Sequence, residues 1–454
     1  MTNADTSDSN GMTKSSGSIA TVLKRPQFTL LVIGQTVAQL GDRLHNMALI
    51  ALVAVAAEAT TTGVEISKIG VVTLAPTVFA PVVGAMVDRW NKQFTMIVCH
   101  LMRAIIVAFI PWLYHASGYI WPVYVVAFFV GVFGVFFNAA KMAVIPDLVE
   151  PEHLLAANAA LTSIGRVATV VGMVGGGLLV EWAIWGRIGW AGWEAGFYID
   201  SITYAVSVLT LIGIAKINWG TTHEQGTHRP ISESAELVRR EVEHRTSDVR
   251  QTFRLMRDHH GLRFVFLMVI VLGALAGAIF NLLTAASISV LNAGARGVGF
   301  LGGLLAGGMI LGSLLVGTVG ARWDKRWMMV IGCLLMGVFM MGGSVWFSYV
   351  IFMPIAFVGG AVLAPVMVSM DTLLHEWSPR GARGLVFSTR DTVLGASFIG
   401  FQTLAGASIP LLSPFVRTPY AVSLFVFGLL VMVGTVGASW TQIRLDRAQK
   451  REAP

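Results

Sequence analysis

Uninterrupted apolar runs of about 20 residues recur along almost the whole chain. A helix of that length crosses the roughly 30 Å hydrocarbon core of a bilayer, and it bonds its backbone amides within the same segment. Strands of a membrane barrel would alternate in polarity over about 10 residues, and these runs do not alternate. Only 13% of the 454 residues are charged, about half the share found in soluble domains. The sequence therefore predicts an all-α membrane protein.

Twelve transmembrane helices in two six-helix pseudo-repeats are predicted. The predicted spans lie at about 28–57, 66–87, 94–114, 119–140, 159–184, 197–217, 264–292, 298–319, 327–346, 348–371, 387–412 and 418–441. The expected domains are an N-terminal tail at 1–27, a first bundle at 28–217, a linker at 218–262, a second bundle at 263–441 and a basic tail at 442–454. The linker places Val238, Val242 and Val249 among charged residues, which favours an amphipathic helix on the membrane surface.

The distribution of Lys and Arg predicts the orientation. Of the 32 Lys and Arg residues, four fall in loops on one side of the predicted membrane and four fall within spans. All the others lie on the opposite side, which the positive-inside rule makes cytoplasmic. We therefore expect both termini in the cytoplasm and the protein in the cell (inner or plasma) membrane. The same clustering argues against nucleic acid as the reason for the net charge of +7.

A short charged hinge occurs once in each half of the chain. The first copy runs from Gly84 to Lys92 and the second from Gly317 to Lys325, and both read Gly, any four residues, Arg-Trp, any residue, Lys. A sequence repeated in the same direction in two six-helix halves is typical of secondary transporters built from parallel repeats. Asp88 of the first copy is replaced by Ala321 in the second.

The first hinge resembles the loop 2–3 motif of the major facilitator superfamily, usually written G-x-x-x-D-R-x-x-R/K, and the resemblance covers all twelve predicted spans. The matching residues are Gly84, Asp88, Arg89 and Lys92. By this resemblance Asp88 interacts with the N-terminal end of span 11, whose dipole favours an anion, and Arg390 strengthens the contact. We expect this latch to hold the halves together on the cytoplasmic side in the outward-facing state.

Three further segments are similar to the macrolide-efflux and enterobactin-exporter branch of that superfamily. They are Gly41-Asp42, Ala143–Val149 and Phe197–Tyr204. Ala140-Lys141 followed by Ile145-Pro146 also resembles the lysophospholipid transporters. The chain departs from the drug antiporters of the superfamily because Gly131–Asn138 carries no basic residue.

Span 1 carries a polar stripe. Gln35, Gln39, Asp42 and Asn46 are spaced four, three and four residues apart and so share one helix face. A charge at mid-depth costs about 2.5–3.5 kcal/mol on insertion scales, so Asp42 needs a compensating environment. One interpretation is a cavity-lining face on which Asp42 couples transport to protons. The other is a permanent ion pair with Arg43, Arg103 or His45 that locks helices together.

Other polar residues within the spans leave similar choices. Arg103, midway along span 3, is expected to point inward at a carboxylate or carbonyl, and structural pairing is favoured over substrate contact. Asp200 is placed near the outer end of span 6, where interfacial solvation makes its charge inexpensive. Asn281 on span 7 fits either substrate contact or packing between helices.

These residues predict a proton-coupled secondary transporter that exports a small amphipathic or hydrophobic solute, drug-like or siderophore-like, by alternating access. The first alternative is a lipid or lysophospholipid translocator of the same fold, and the second is a non-transporting scaffold or sensor. We expect no enzyme, no cofactor and no metal site, because no ligand constellation or nucleotide-binding motif occurs in the sequence. The expected partners are a small-molecule or lipid substrate, protons and the bilayer, without nucleic acid, and the protein is expected to be a monomer.

Overall fold

All regular structure in the described part of the chain is helical. The computed structural model describes residues 19–87, 90–218, 260–319, 323–378 and 383–452. The principal helices are α1 (Pro26–Ala56), α2 (Thr62–Leu74), α3 (Ala80–Val87), α4 (Lys92–Ala108), α5 (Ile110–Ser117), α6 (Trp121–Leu148), α7 (Leu154–Val180), α8 (Gly192–Asn218), α9 (His260–Ser289), α10 (Gly294–Val319), α11 (Lys325–Val345), α12 (Tyr349–Trp377), α13 (Arg383–Leu412) and α14 (Pro419–Glu452). Single turns lie at Ile19–Val22, Ala75–Phe79, Pro151–His153 and Ile184–Arg187.

Ten helical segments of the described chain are long and apolar enough to cross a membrane. They support a multi-pass membrane protein. Two of the twelve predicted spans are not among the ten. The first is α1, whose 31 residues include the polar stripe, and the second is the segment that contains α2 and α3, which are 13 and 8 residues long.

Prolines explain why two of the predicted spans are not continuous α-helices. Pro76 lies within the 3₁₀ turn Ala75–Phe79 that separates α2 from α3, and Pro111 lies in the first turn of α5, directly after the end of α4. Proline lacks the amide hydrogen that an α-helix needs and clashes with the preceding turn. Both breaks lie inside predicted spans, and the segment that contains the second, Lys92–Ser117, is still long and apolar enough to cross a membrane.

Several helices extend beyond the predicted spans. α6 was expected to end near residue 140 but continues to Leu148, so Lys141 lies on the helix. α14 was expected to end near residue 441 but continues to Glu452, into the predicted tail. Hydropathy marks where a helix leaves the hydrocarbon and not where its backbone hydrogen bonds stop, which accounts for both differences.

The same order of helix packing occurs twice. α1 packs against α7 and α8, and in the same way α9 packs against α13 and α14. α4 packs against α6 and α8, while α11 packs against α12 and α14. We call α1–α8 the first bundle and α9–α14 the second bundle.

Hydrogen bonds between described residues of the two bundles lie at one end of the molecule, where α1 ends and α2 begins. We call this end the closed face. Asn281 Nδ2 donates to the Gly63 carbonyl oxygen at 2.9 Å, and Gln402 Nε2 donates to the Ile66 carbonyl oxygen at 3.1 Å. Tyr420 also donates to the carbonyl oxygen of Ala59. These contacts hold α2 of the first bundle against α9 and α13 of the second.

A second pair of helices closes the same face. Glu181, directly after α7, accepts a hydrogen bond from the backbone amide of Arg296 at 3.0 Å, and its carboxylate lies 3.8 Å from Arg296 Nε. Gly177 and Gly299 let α7 and α10 approach closely, because a Cβ at either position would press on backbone atoms of the other helix. The closed face therefore combines small residues with a few polar contacts.

Candidate functional site

A cavity of about 420 Å³ opens along the polar stripe of α1. Its walls come from α1, α6 and α7 of the first bundle. The polar and charged side chains among its lining residues are Gln35, Gln39, Asp42, Arg43, Asn138, Lys141, Asn158, Thr162, Arg166 and Thr169. Ligand cavities of proteins commonly measure about 300–1,000 Å³, so a small solute fits here.

Asp42 lies at the boundary between this cavity and the core of the first bundle. Its Oδ1 accepts a hydrogen bond from Arg103 of α4 at 2.6 Å and another from the Tyr204 hydroxyl of α8. The guanidinium of Arg103 lies 4.2 Å above the ring centroid of Tyr204. The Arg103 side chain is only 10% exposed, whereas that of Asp42 is 36% exposed. The carboxylate is therefore held from the core side and reachable by solute from the cavity side.

This geometry selects among the partners that the sequence left open for Asp42. Arg103 is the ion-pair partner, as its expected inward orientation required. Arg43 instead points toward Thr169 of α7, with 3.4 Å between the donor nitrogen and the hydroxyl oxygen. His45 bonds to a different carboxylate, that of Asp200.

Asp200 differs from the sequence expectation. It was expected to be solvated near the outer end of span 6, but it is completely buried, and its Oδ2 lies 3.0 Å from His45 Nδ1. Gly41 of α1 explains the burial, because a Cβ there would overlap the Thr203 hydroxyl and crowd the Asp200 carboxylate. The missing side chain lets α1 and α8 approach so closely that water is excluded from their contact.

The remaining stripe residues take different positions. Gln35 and Gln39 line the cavity, and the Oε1 atom of each is buried without a hydrogen-bond partner among the described residues. Buried amide oxygens usually find a donor, so a solute or water hydrogen bond here would satisfy them. Asn46 is half-buried one turn beyond Asp42 and is not among the cavity-lining residues.

Asn281 belongs to the closed face and not to the cavity. Its side chain is completely buried and donates to both Gly63 and Ser67 of α2. Of the two roles that the sequence left open, this position matches contact between helices.

Only some of the predicted latch residues, Gly84, Lys92 and Arg390, lie within the described part of the chain. Asp88 and Arg89 lie outside the described residues, as does most of the linker 218–262. Gly84 is half-buried on α3, and a Cβ there would meet no described atom within 4 Å. Arg390 on α13 bonds to Asp371 of α12 and, at 2.9 Å, to its neighbour Asp391.

The lysine of each hinge makes an equivalent ion pair. Lys92 bonds to Asp147 near the end of α6 at 2.9 Å, and Lys325 bonds to Glu376 near the end of α12. Each lysine therefore ties the start of one helix to the end of the next long helix in its own bundle. The sequence placed Lys92 among the latch residues of the first hinge, and the described ion pair of Lys92 lies within the first bundle.

Among the described residues, one group of possible metal ligands lies outside the cavity. It comprises Glu150, Glu152 and His153, whose ligand atoms lie within 4.8 Å of one another. The Glu150 carboxylate bonds to Arg25 at 2.5 Å, and this hydrogen bond lowers the pKa of Glu150. An ion pair with a neighbouring helix accounts for this cluster.

Sequence reasoning missed the role of Tyr204. The signal was available, because Asp200 and Tyr204 are four residues apart and so lie on one face of α8. It also missed Gln402, which lies completely buried in the closed face. A single glutamine in a long apolar helix does not indicate which residues it contacts. Its hydrogen bond across the closed face becomes apparent only from the packing of α2 against α13.

The fold and site define a polytopic helical membrane protein of the transporter class, with two bundles, one closed face and a polar cavity. The chain belongs to the Major Facilitator Superfamily, whose sequence profile matches residues 31–292. No curated protein matches the chain.

Solved structures of transporters share the fold at low sequence identity. A bacterial homologue of the human lysosomal transporter Spinster, inward-facing and unoccupied, has 13% identity and a TM-score of 0.62, covering 93% of this chain and 96% of its own. A bacterial homologue of the iron transporter ferroportin, also inward-facing, has 14% identity and a TM-score of 0.63, covering 91% and 98%. An auto-inhibited POT family peptide transporter has 13% identity and a TM-score of 0.66, covering 92% and 97%.

Proposed function

We propose that the protein is a twelve-span secondary transporter of the cell membrane that exports a small amphipathic solute in exchange for protons. The observation that carries the proposal is that Asp42, paired with the buried Arg103, lines a polar cavity in the part of the first bundle that lies away from the closed face. By the positive-inside rule the closed face is extracellular. The structure then corresponds to an inward-facing state, in which the cavity takes up solute from the cytoplasm.

The geometry of Asp42 suits proton coupling. Its carboxylate is one-third exposed to the cavity, so a proton can reach it, while Arg103 and Tyr204 hold it from behind. Protonation of Asp42 would neutralise the anion that Arg103 binds and leave a buried guanidinium without its counter-charge. In the proposed cycle this change weakens the contact between α1 and α4 and so favours one state of the transporter over the other.

A flux assay in proteoliposomes tests this proposal. Uptake or release of two drug-like probes, the cation ethidium and the anion fluorescein, is measured with and without a pH gradient. We expect the gradient to drive flux in the unmodified protein, and Asp42→Asn to abolish the gradient dependence. Glu152→Gln, which removes an exposed carboxylate outside the cavity, serves as the matched control and should behave like the unmodified protein. Flux that ignores the gradient, or that remains fully gradient-driven in Asp42→Asn, contradicts the proposal.

A lipid or lysophospholipid translocator is the second candidate, because a second crevice favours it. This crevice of about 490 Å³ lies where α2 meets α13 beside Tyr124 of α6, and its lining includes Val64, Val71, Val72 and Ala407. An apolar crevice between the bundles suits an acyl chain.

Crevice filling distinguishes the two candidates. In proteoliposomes, translocation of a fluorescent lysophospholipid is compared between the unmodified protein and Ala407→Phe, which narrows the crevice. The lipid candidate is favoured if the unmodified protein translocates the lysophospholipid, Ala407→Phe blocks this translocation, and neither protein transports ethidium. Ethidium flux that Ala407→Phe leaves unchanged would favour the solute exporter.

A further inference from the structure

The charges that line the α1–α6–α7 cavity are mostly positive. Arg43 of α1, Lys141 of α6 and Arg166 of α7 each contribute to its wall. Asp42 is the one carboxylate among its described lining residues. Three different helices therefore direct cations toward the same volume.

Arg103 offsets the single carboxylate from behind. Oδ1 of Asp42 binds Arg103 at 2.6 Å and also the Tyr204 hydroxyl. Arg103 is buried in the core of the first bundle and is not among the lining residues. The positive charge of Arg103 balances the negative charge of Asp42. The Asp42 carboxylate therefore does not neutralise the three cations that line the cavity.

Among the described residues none of the three lining cations forms an ion pair within 4 Å, although Asp42 is near enough to Lys141 to interact with it electrostatically. Lys141 Nζ donates to the Asn138 side chain at 2.9 Å, and Arg43 donates weakly to the Thr169 hydroxyl at 3.4 Å. Arg166 is exposed to the cavity and has no carboxylate within 4 Å in the described structure. Charges of one sign that line a cavity with low-dielectric walls concentrate a ligand of the opposite sign.

The rest of the lining indicates an apolar body attached to that charge. Met142 and Ile145 of α6 and Leu161 of α7 contribute apolar surface between the cations. Gln35 and Gln39 add amide oxygens without donors. An arginine guanidinium donates two parallel hydrogen bonds to the oxygens of a phosphate or carboxylate group, and a lysine ammonium adds a compact positive charge.

We infer that the cavity binds an organic anion, with a phosphate or carboxylate group held by Arg43, Lys141 and Arg166 and an apolar body against Met142, Ile145 and Leu161. The inference rests on the proposed transport function, because it names the substrate class of the same cavity. It narrows the expected solute from any amphipathic molecule to an anionic one. Cationic drugs are excluded as preferred substrates.

Binding to the purified full-length protein in maltoside micelles tests the inference without requiring transport. The probes are dodecyl phosphate, 1-naphthyl phosphate and dodecyltrimethylammonium, and binding is followed by microscale thermophoresis. We expect saturable binding of a phosphate probe, weakened by salt, and no competition from the ammonium probe. Binding of dodecyl phosphate alone indicates a lipid-like anion, and binding of both phosphates indicates a compact organic anion. Failure of both phosphates to bind, or tighter binding of the ammonium probe, overturns the inference.

Charge-removal variants locate the binding site. Arg166→Gln and Lys141→Gln should each weaken phosphate binding about tenfold, the effect of losing one charge-assisted hydrogen bond. Arg166→Lys should restore part of the affinity. Arg187→Gln removes an exposed cation beyond α7 at the closed face and should leave binding unchanged. If Arg187→Gln weakens phosphate binding as much as the cavity variants do, the binding reflects nonspecific attraction to the positively charged protein. That result would overturn the assignment of the anion site to the cavity.

The two proposals fail in distinguishable ways. Phosphate binding without gradient-driven flux of any probe would refute transport and leave the anion site in place. Gradient-driven flux of ethidium without phosphate binding would support transport and refute the anionic substrate.

Discussion

Removing either partner of the Asp42–Arg103 ion pair should destabilise the first bundle by different amounts. Arg103 has a side chain that is 10% exposed, and Asp42 has one that is 36% exposed. Asp42→Asn leaves a buried guanidinium without its counter-charge, which costs about 3–5 kcal/mol. Arg103→Met leaves a carboxylate that cavity water reaches and that Tyr204 still hydrogen-bonds, so solvent screening reduces the cost to about 1–2 kcal/mol.

The double variant Asp42→Asn with Arg103→Met checks the reason for this order. It removes both charges, so no uncompensated ion remains and its destabilisation should be smaller than that of Asp42→Asn alone. Arg43→Gln is the control, because Arg43 is next in sequence but makes only a 3.4 Å contact with Thr169. Its effect should stay within about 0.5 kcal/mol.

Thermal unfolding of the detergent-purified variants provides the measurement. The midpoint should be lowest for Asp42→Asn, higher for Arg103→Met and unchanged for Arg43→Gln. A midpoint of Arg103→Met below that of Asp42→Asn would contradict the burial argument. A double variant that melts below both single variants would show that the two residues do not act as a pair.

Three further outcomes are expected from the packing. Gly406→Ala should disfavour the closed face, because the added Cβ would overlap the carbonyl oxygen of Gly63 on α2. Spin labels placed in the loops after α1 and α13 should then report longer distances across that face. Gly175→Ala, whose added Cβ would meet no described atom within 4 Å, should leave those distances unchanged. Asn281→Ala should weaken the same face by about 1–3 kcal/mol through lost buried hydrogen bonds, and unchanged label distances would refute this. Lys92→Gln and Lys325→Gln should each change the thermal midpoint little, since exposed ion pairs contribute about 0–1 kcal/mol; a large loss in either would show that its ion pair is not screened by solvent.

Ten of the twelve predicted spans coincide with helical segments long and apolar enough to cross a membrane, because membrane crossing depends on local hydropathy. The polar stripe of α1 was also predictable, since its spacing is a property of one helix. The partner of Asp42 was not, because Arg43, Arg103 and His45 were all candidates and the choice depends on which helices pack together. The burial of Asp200 required Gly41 to bring α1 against α8, and no local pattern marks that contact.

The two bundles repeat their packing but not their chemistry. Arg103 lies eleven residues after the hinge lysine Lys92, and eleven residues after the second hinge lysine, Lys325, stands Met336, which is buried and apolar. Both lysines keep their ion pairs to the end of a neighbouring helix, so the duplication is retained where it fixes helix positions. The ion pair with Asp42 is therefore a property of the first bundle alone. The second bundle contributes neutral amides, such as Gln402, to the closed face. The closed face is therefore held by polar contacts from both bundles, whereas the Asp42–Arg103 ion pair lies within the first bundle.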